Sequence, residues 1–252
     1  MDRVRQWVVL FGTLLVFTVN TLANLLPING LTTGQISDQF DVYFIPAGYV
    51  FSIWGLIYVL LLGFTIYQFL PTNRTDDKLR KIGWWYAAGC LANSAWLFTW
   101  HYQLFYLSFA FMAILFVTLY VIYQKLDIGL KTADIKTRIF VQIPFSIYLA
   151  WISVALISNF AILLAFSGWN AFGIPGSSWA LILMVVAILL AMMTAFNRGD
   201  VFFLGVVIWA LAGIAIKNWG ITPVYEAAVA SAILVLIIAI VSQIIRYKPK
   251  PV

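Results

Sequence analysis

Three apolar stretches carry polar-tipped rings and amides at helical spacing. In PAGYVFSIWGLIY (46–58), Phe51, Trp54 and Tyr58 fall at i, i+3 and i+7 and so share one helical face. Proline suits a first helical turn, because the N–H it lacks would have no partner there, so Pro46 is expected to open this helix. LANSAWLFTW (91–100) repeats the spacing with Asn93, Trp96 and Trp100. In YLAWISVALISN (148–159), Tyr148, Trp151, Ala155 and Asn159 share a face, with Ala155 and Ser158 small. Rings supply flat apolar area, an amide supplies one oriented polar contact, and small residues leave room for a flat guest. The same features suit close helix packing, where small residues admit a neighbour and amides hydrogen-bond across. Packing is the plainer reading of any one residue; three such stripes on three segments favour a shared cavity.

Other chemistries find little support. There is no HExxH, no GxSxG, no P-loop and no acid–base pair at helical spacing, so no catalytic residue is assigned. One cysteine, Cys90, and one histidine, His101, exclude an intrachain disulfide and argue against a metal cluster. Every Asp, Glu, Lys and Arg can be placed in a loop or at a span end, which argues against proton or sodium coupling. His101 at a turn reads as a wetted polar residue rather than a haem ligand, and Cys90 as an inert buried thiol.

The elements that position these stripes are membrane helices. The chain is 63% hydrophobic and 10% charged, where a soluble domain carries about 25% charged residues. The expected fold is all-α, a polytopic bundle of eight transmembrane helices at 6–26, 46–70, 83–100, 104–124, 139–166, 178–196, 201–217 and 226–245. The first is read as a retained helix rather than a cleaved signal peptide. With the N-terminus placed in the cytoplasm, 14 of the 15 basic residues fall in inside segments and only Lys217 outside. Both termini are therefore expected in the cytoplasm, with the plasma (inner) membrane as the location. The net charge of +6 is read as this orientation signal and not as a nucleic-acid partner. The outer loop 27–45 is either a lid or a flexible connector. The Gly/Pro/Ser-rich loop before the sixth span divides the chain into residues 1–166 and 167–252. Trp7, Trp84, Trp85 and Trp179 suit an interfacial belt, and Asn20 with Asn24 suits helix–helix bonding.

On these motifs the sequence resembles the translocator-protein family (TspO, the tryptophan-rich sensory proteins). The 46–58 stretch is similar to the family's Pro–Trp–Val–Phe–x–x–Trp–x–x–Leu–Tyr signature, with Trp54 and Tyr58 in the places of the second Trp and the Tyr. Asn93 and Trp96 match its Asn–x–x–Trp segment. Tyr148, Leu149, Ala150, Trp151 and Asn159 match Tyr–Leu–Ala–Trp followed eight residues on by Asn. Tyr49 stands where the family often has its first Trp, Leu163 where another Trp is common, and the usual proline lies earlier, at Pro144. The resemblance covers roughly 1–166, as the family's five-helix bundle, and leaves three helices without counterpart.

The resemblance implies a membrane receptor for a flat hydrophobic ligand, a tetrapyrrole such as a porphyrin or a sterol-like molecule. Its ligand-binding residues would be Phe51, Trp54, Tyr58, Asn93, Trp96, Trp100, Tyr148, Trp151, Ala155 and Asn159. No cofactor is assigned beyond a porphyrin as ligand. The lipid bilayer is the surrounding partner, a homodimer is compatible with the pattern, and no nucleic acid is expected. Three alternatives stay open. They are a permease-like subunit for a neutral or hydrophobic solute, a photo-oxidative porphyrin-degrading enzyme, and a structural protein whose aromatics are all packing.

Overall fold

The computed structural model describes residues 2–26 and 28–247, without the side chains of Asn24 and Tyr247. The bonding expected of Asn24, and Lys248 and Lys250 of the basic tail, lie outside what is described.

Local chemistry sets the helix ends. α1 (Asp2–Leu25) leads into a loop holding the short α2 (Thr33–Ser37). Thr32 caps α2 reciprocally with Gln35, each side chain bonding the other's backbone N–H. A 3₁₀ turn (Gly48–Ser52) runs directly into α3 (Ile53–Phe69). α4 (Asp77–His101) is capped by Asp76 and joined by a tight turn to α5 (Phe105–Lys125). A single turn, α6 (Ile135–Thr137), continues through a π turn (Arg138–Gln142) into α7 (Ile143–Phe166). Pro144 causes the wide turn: it has no N–H for the Phe140 carbonyl, and the Ile143 N–H reaches back five residues to Arg138. α8 (Gly176–Arg198) ends at Gly199 in the left-handed region, φ 63°. Asp200 caps α9 (Val201–Lys217), and α10 (Val224–Tyr247) closes the fold.

Six of these helical segments are long and apolar enough to cross a membrane. α9 is apolar but only 17 residues long. α4 is long enough at 25 residues, but its Trp, Tyr and Asn content makes it less apolar than the six. It packs against α1, α5 and α2.

The chain does not enter α3 as the sequence suggests. Pro46 and Ala47 lie outside the helix, Ala47 with ψ 149°, and the helical turn begins at Gly48. The reason lies across the bundle, where the Ala47 N–H donates to the Gly213 carbonyl of α9 at 3.1 Å. A Cβ on Gly213 would sit 2.2 Å from Val50 Cγ2 and 3.2 Å from Pro46 Cβ, so only glycine admits this approach. Trp209 Nε1 donates to the Val50 carbonyl at 3.3 Å, and its ring meets Tyr49 edge-on at 5.3 Å. The last three helices thus hold the entry to α3 from outside.

Polar contacts tie α1, α3, α4 and α7 along the bundle. Thr13 Oγ1 lies 2.7 Å from Thr65 Oγ1 and 2.8 Å from Tyr86 Oη. Asn20 Nδ2 donates to Asn93 Oδ1, and Asn93 Nδ2 to Tyr148 Oη, both at 2.9 Å. Between helices in lipid such bonds contribute about 0.6 kcal/mol each on average.

The 28–47 segment is an ordered cover, not a loose connector. His101, expected to be wetted, is fully buried, and both ring nitrogens are engaged, Nδ1 with the Ile28 carbonyl at 2.9 Å and Nε2 with Thr33 Oγ1 at 3.2 Å. Asn29 Nδ2 donates to the His101 carbonyl, Asn218 Nδ2 to that of Tyr43, and Ser158 Oγ to that of Phe44. Lys217 pairs with Asp38. The position of His101 next to a turn suggested water; the loop folding back over it removes that water.

Three variants test these contacts. Gly213→Val should cost about 1–3 kcal/mol by overpacking, read as a lower melting temperature in detergent. Gly205→Ala, whose Cβ would meet nothing within 4 Å, should melt like wild type. His101→Ala should speed backbone amide exchange in residues 28–38 while the α4 and α7 amides stay protected.

Candidate functional site

Trp54 is the centre of an aromatic cluster drawn from three helices. Its ring stacks on Trp96 at 5.9 Å and on Tyr58 at 5.6 Å. It meets Tyr148 and Trp151 edge-on at 6.0 and 6.2 Å. Phe51 adds an edge contact to Trp151 at 5.8 Å, and Trp100 continues the stack beyond Trp96 at 6.2 Å. The 3₁₀ turn and α3 place Phe51, Trp54 and Tyr58, α4 places Asn93, Trp96 and Trp100, and α7 places the rest. The rings on these stripes reach across to one another.

Two hollows adjoin the cluster. The inner one is small, about 30 Å³, and is lined by Phe51, Trp54, Trp96, Trp100, Trp151, Ala155 and Asn159 with Thr33, Ser37 and Pro46. It has room for about one water molecule. The outer one is about 350 Å³, within the range of small-molecule sites. Trp54, Trp96, Phe51 and Leu97 form its apolar side, and Asn20, Thr32, Thr33, Gln35 and Asp38 its polar rim. It lies beneath α2, so the ordered cover is also a wall.

The polar atoms divide into satisfied and unsatisfied. Asn159 Oδ1 accepts from Trp96 Nε1 at 3.3 Å, and Trp100 Nε1 donates to the Thr33 carbonyl at 3.2 Å. Trp151 Nε1 and Tyr58 Oη are buried with no hydrogen-bond partner among the described residues. An unmatched buried donor carries a desolvation cost of about 1–3 kcal/mol. Trp151 lines the inner hollow, so an acceptor placed there would relieve that cost.

Of the ten residues singled out by sequence, seven line a hollow: Phe51, Trp54, Trp96, Trp100, Trp151, Ala155 and Asn159. Tyr58, Asn93 and Tyr148 stand behind the wall, the last two in the bond chain from Asn20. Sequence reasoning missed the loop contributors Thr33, Ser37, Gln35 and Asp38. One signal was available, the Thr32-x-x-Gln35 capping box, which marks an ordered helix start inside what otherwise reads as a loop. Both ring nitrogens of His101 serve the cover.

No curated protein and no solved structure matches the chain. A family model described as TSPO-like protein matches residues 6–242. The sequence resemblance had stopped near residue 166; the family model continues through α8, α9 and most of α10. With the match spanning nearly the whole chain and six helices fit to cross a bilayer, this integral membrane protein belongs to the TSPO-like family.

Proposed function

We propose that the protein is a membrane receptor for a flat hydrophobic ligand, a tetrapyrrole being the class that fits best. All eight long helices would span the plasma membrane with both termini in the cytoplasm. The observation that carries the reading is the 350 Å³ hollow walled by the stacked Trp54 and Trp96 rings. A macrocycle stacks on such faces, and the polar rim suits the hydrophilic edge that porphyrins carry. The inner hollow is too small for a macrocycle. The ligand therefore sits in the outer chamber, against Trp54 and Trp96, and reaches Trp151 only with an edge substituent.

Binding is favoured over permeation by what lies beyond the cluster. A path along the bundle would have to pass Asn93 and Tyr148, then Phe64, Tyr86 and Phe145, all buried. The last three pack edge-on at 4.9–5.8 Å. The Asn20–Asn93–Tyr148 and Thr13–Thr65–Tyr86 bonds close the remaining polar routes.

Titration of the full-length protein in detergent with protoporphyrin, followed through the porphyrin's own absorption band, tests the reading. Wild type should bind saturably. Trp54→Ala should weaken binding about tenfold, in line with the loss of one to two aromatic contacts. Trp84→Ala, an exposed ring near the start of α4, should bind like wild type. Equal affinity for wild type and Trp54→Ala would remove the proposed chamber.

A further inference from the structure

At the opposite end of the bundle from the aromatic chamber lies a further cavity, of about 360 Å³. It is bounded by residues 128–133, the π turn, the α8–α9 corner and the last turns of α10. Arg138, Arg198, Arg246 and Lys131 line it, against one carboxylate, Asp200.

The charges there are fixed but mostly not neutralised. Arg198 donates to the Ile128 carbonyl at 3.3 Å and to Gln124 Oε1, and its guanidinium lies 5.4 Å from the Tyr123 ring centroid. Arg246 donates to the Gly129 and Phe196 carbonyls at 3.2 and 3.3 Å. Carbonyls, an amide and a ring carry no full negative charge. Arg138 rests over the Phe202 ring at 6.0 Å. Among the described residues, Lys131 is the one of these four with an ionic partner, Asp127, at 2.8 Å. Asp200 is occupied: Tyr123 Oη and Ser146 Oγ donate to one oxygen at 2.9 and 2.6 Å, and the Phe202 and Phe203 N–H groups to the other.

A second observation points the same way. Gln142 lines this cavity, is 92% buried (8% exposed), and its Nε2 has no acceptor among the described residues. Basic residues that served only to orient the chain would meet that need while reaching into water. Here three guanidinium groups from α8, α10 and the π turn converge on one hollow beside an unmatched amide donor.

We propose that this cavity binds a phosphate monoester. Guanidinium groups match phosphate oxygens with paired, charge-assisted bonds, and Gln142 supplies a neutral donor. The ligand would bridge the π turn leading into α7, through Arg138 and Gln142, to the last three helices, through Arg198 and Arg246. A lipid headgroup and a soluble phosphorylated molecule share this chemistry. The proposal stands apart from the tetrapyrrole reading.

The test has two arms on the full-length protein at fixed ionic strength. In detergent, sn-glycerol 3-phosphate is titrated calorimetrically. In nanodiscs, the melting temperature is compared between phosphatidylcholine alone and phosphatidylcholine with phosphatidic acid. Saturable binding of glycerol 3-phosphate assigns a soluble ligand; a stabilisation seen only with phosphatidic acid assigns a headgroup. Either response should fall at least tenfold, or vanish, in Arg138→Gln and in Arg246→Gln, with porphyrin binding unchanged. Should Arg246→Gln not fold, Arg138→Gln, which gives up only a ring contact, carries the test. No response in either arm, or equal responses from wild type and the Arg138→Gln variant, overturns the proposal.

Discussion

The stacking of the Trp54 indole on Trp96, with Tyr58, Tyr148 and Trp151 closing around it, joins α3, α4 and α7 through ring contacts. In a bilayer, apolar area alone does not hold helices together, because lipid tails are as apolar as leucine. Ring geometry and hydrogen bonds must do more of the work. Trp54 can serve as a centre only because α3 enters the bundle at the right place. That entry is set by the Ala47 bond to α9 and by the bare Gly213 surface. The last three helices therefore contribute to the aromatic site without lining it.

The two ends of the molecule have different chemistry. At one end the segment 28–47 is stitched down by His101, Asn218, Ser158 and the Lys217–Asp38 pair, over an aromatic chamber. At the other end arginines from separate helices gather around Asp200 and Gln142. Between them the bundle is filled by Phe64, Tyr86 and Phe145 and by the Thr13–Thr65–Tyr86 bonds. The aromatic chamber and the arginine-lined cavity are thus separated by a packed middle.

Much of this was legible in the sequence, because a helix period of 3.6 projects Trp54, Trp96 and Trp151 onto faces that must meet once the helices pack. The loop alternation likewise put Lys131, Arg138, Arg198 and Arg246 on one side, and these four share a cavity. What could not be read were contacts made at long range. His101 is buried by a loop some seventy residues earlier, and Pro46 is pulled out of the helix by a carbonyl on α9. Asn93 and Tyr148 looked like cavity residues because of their spacing, but each found a partner on another helix. Asp200 sits at a span end, as its sequence position suggests, yet four donors bury it. Spacing fixes which face a residue takes, and the neighbour on that face decides whether it lines a space or fills one.

The most direct measurement is an experimental structure of the full-length protein saturated with protoporphyrin. The account predicts macrocycle density in the outer chamber, stacked against Trp54 and Trp96 and roofed by residues 32–38. Density confined to the lipid-facing surface, or a chamber filled by side chains with no porphyrin in it, would contradict it.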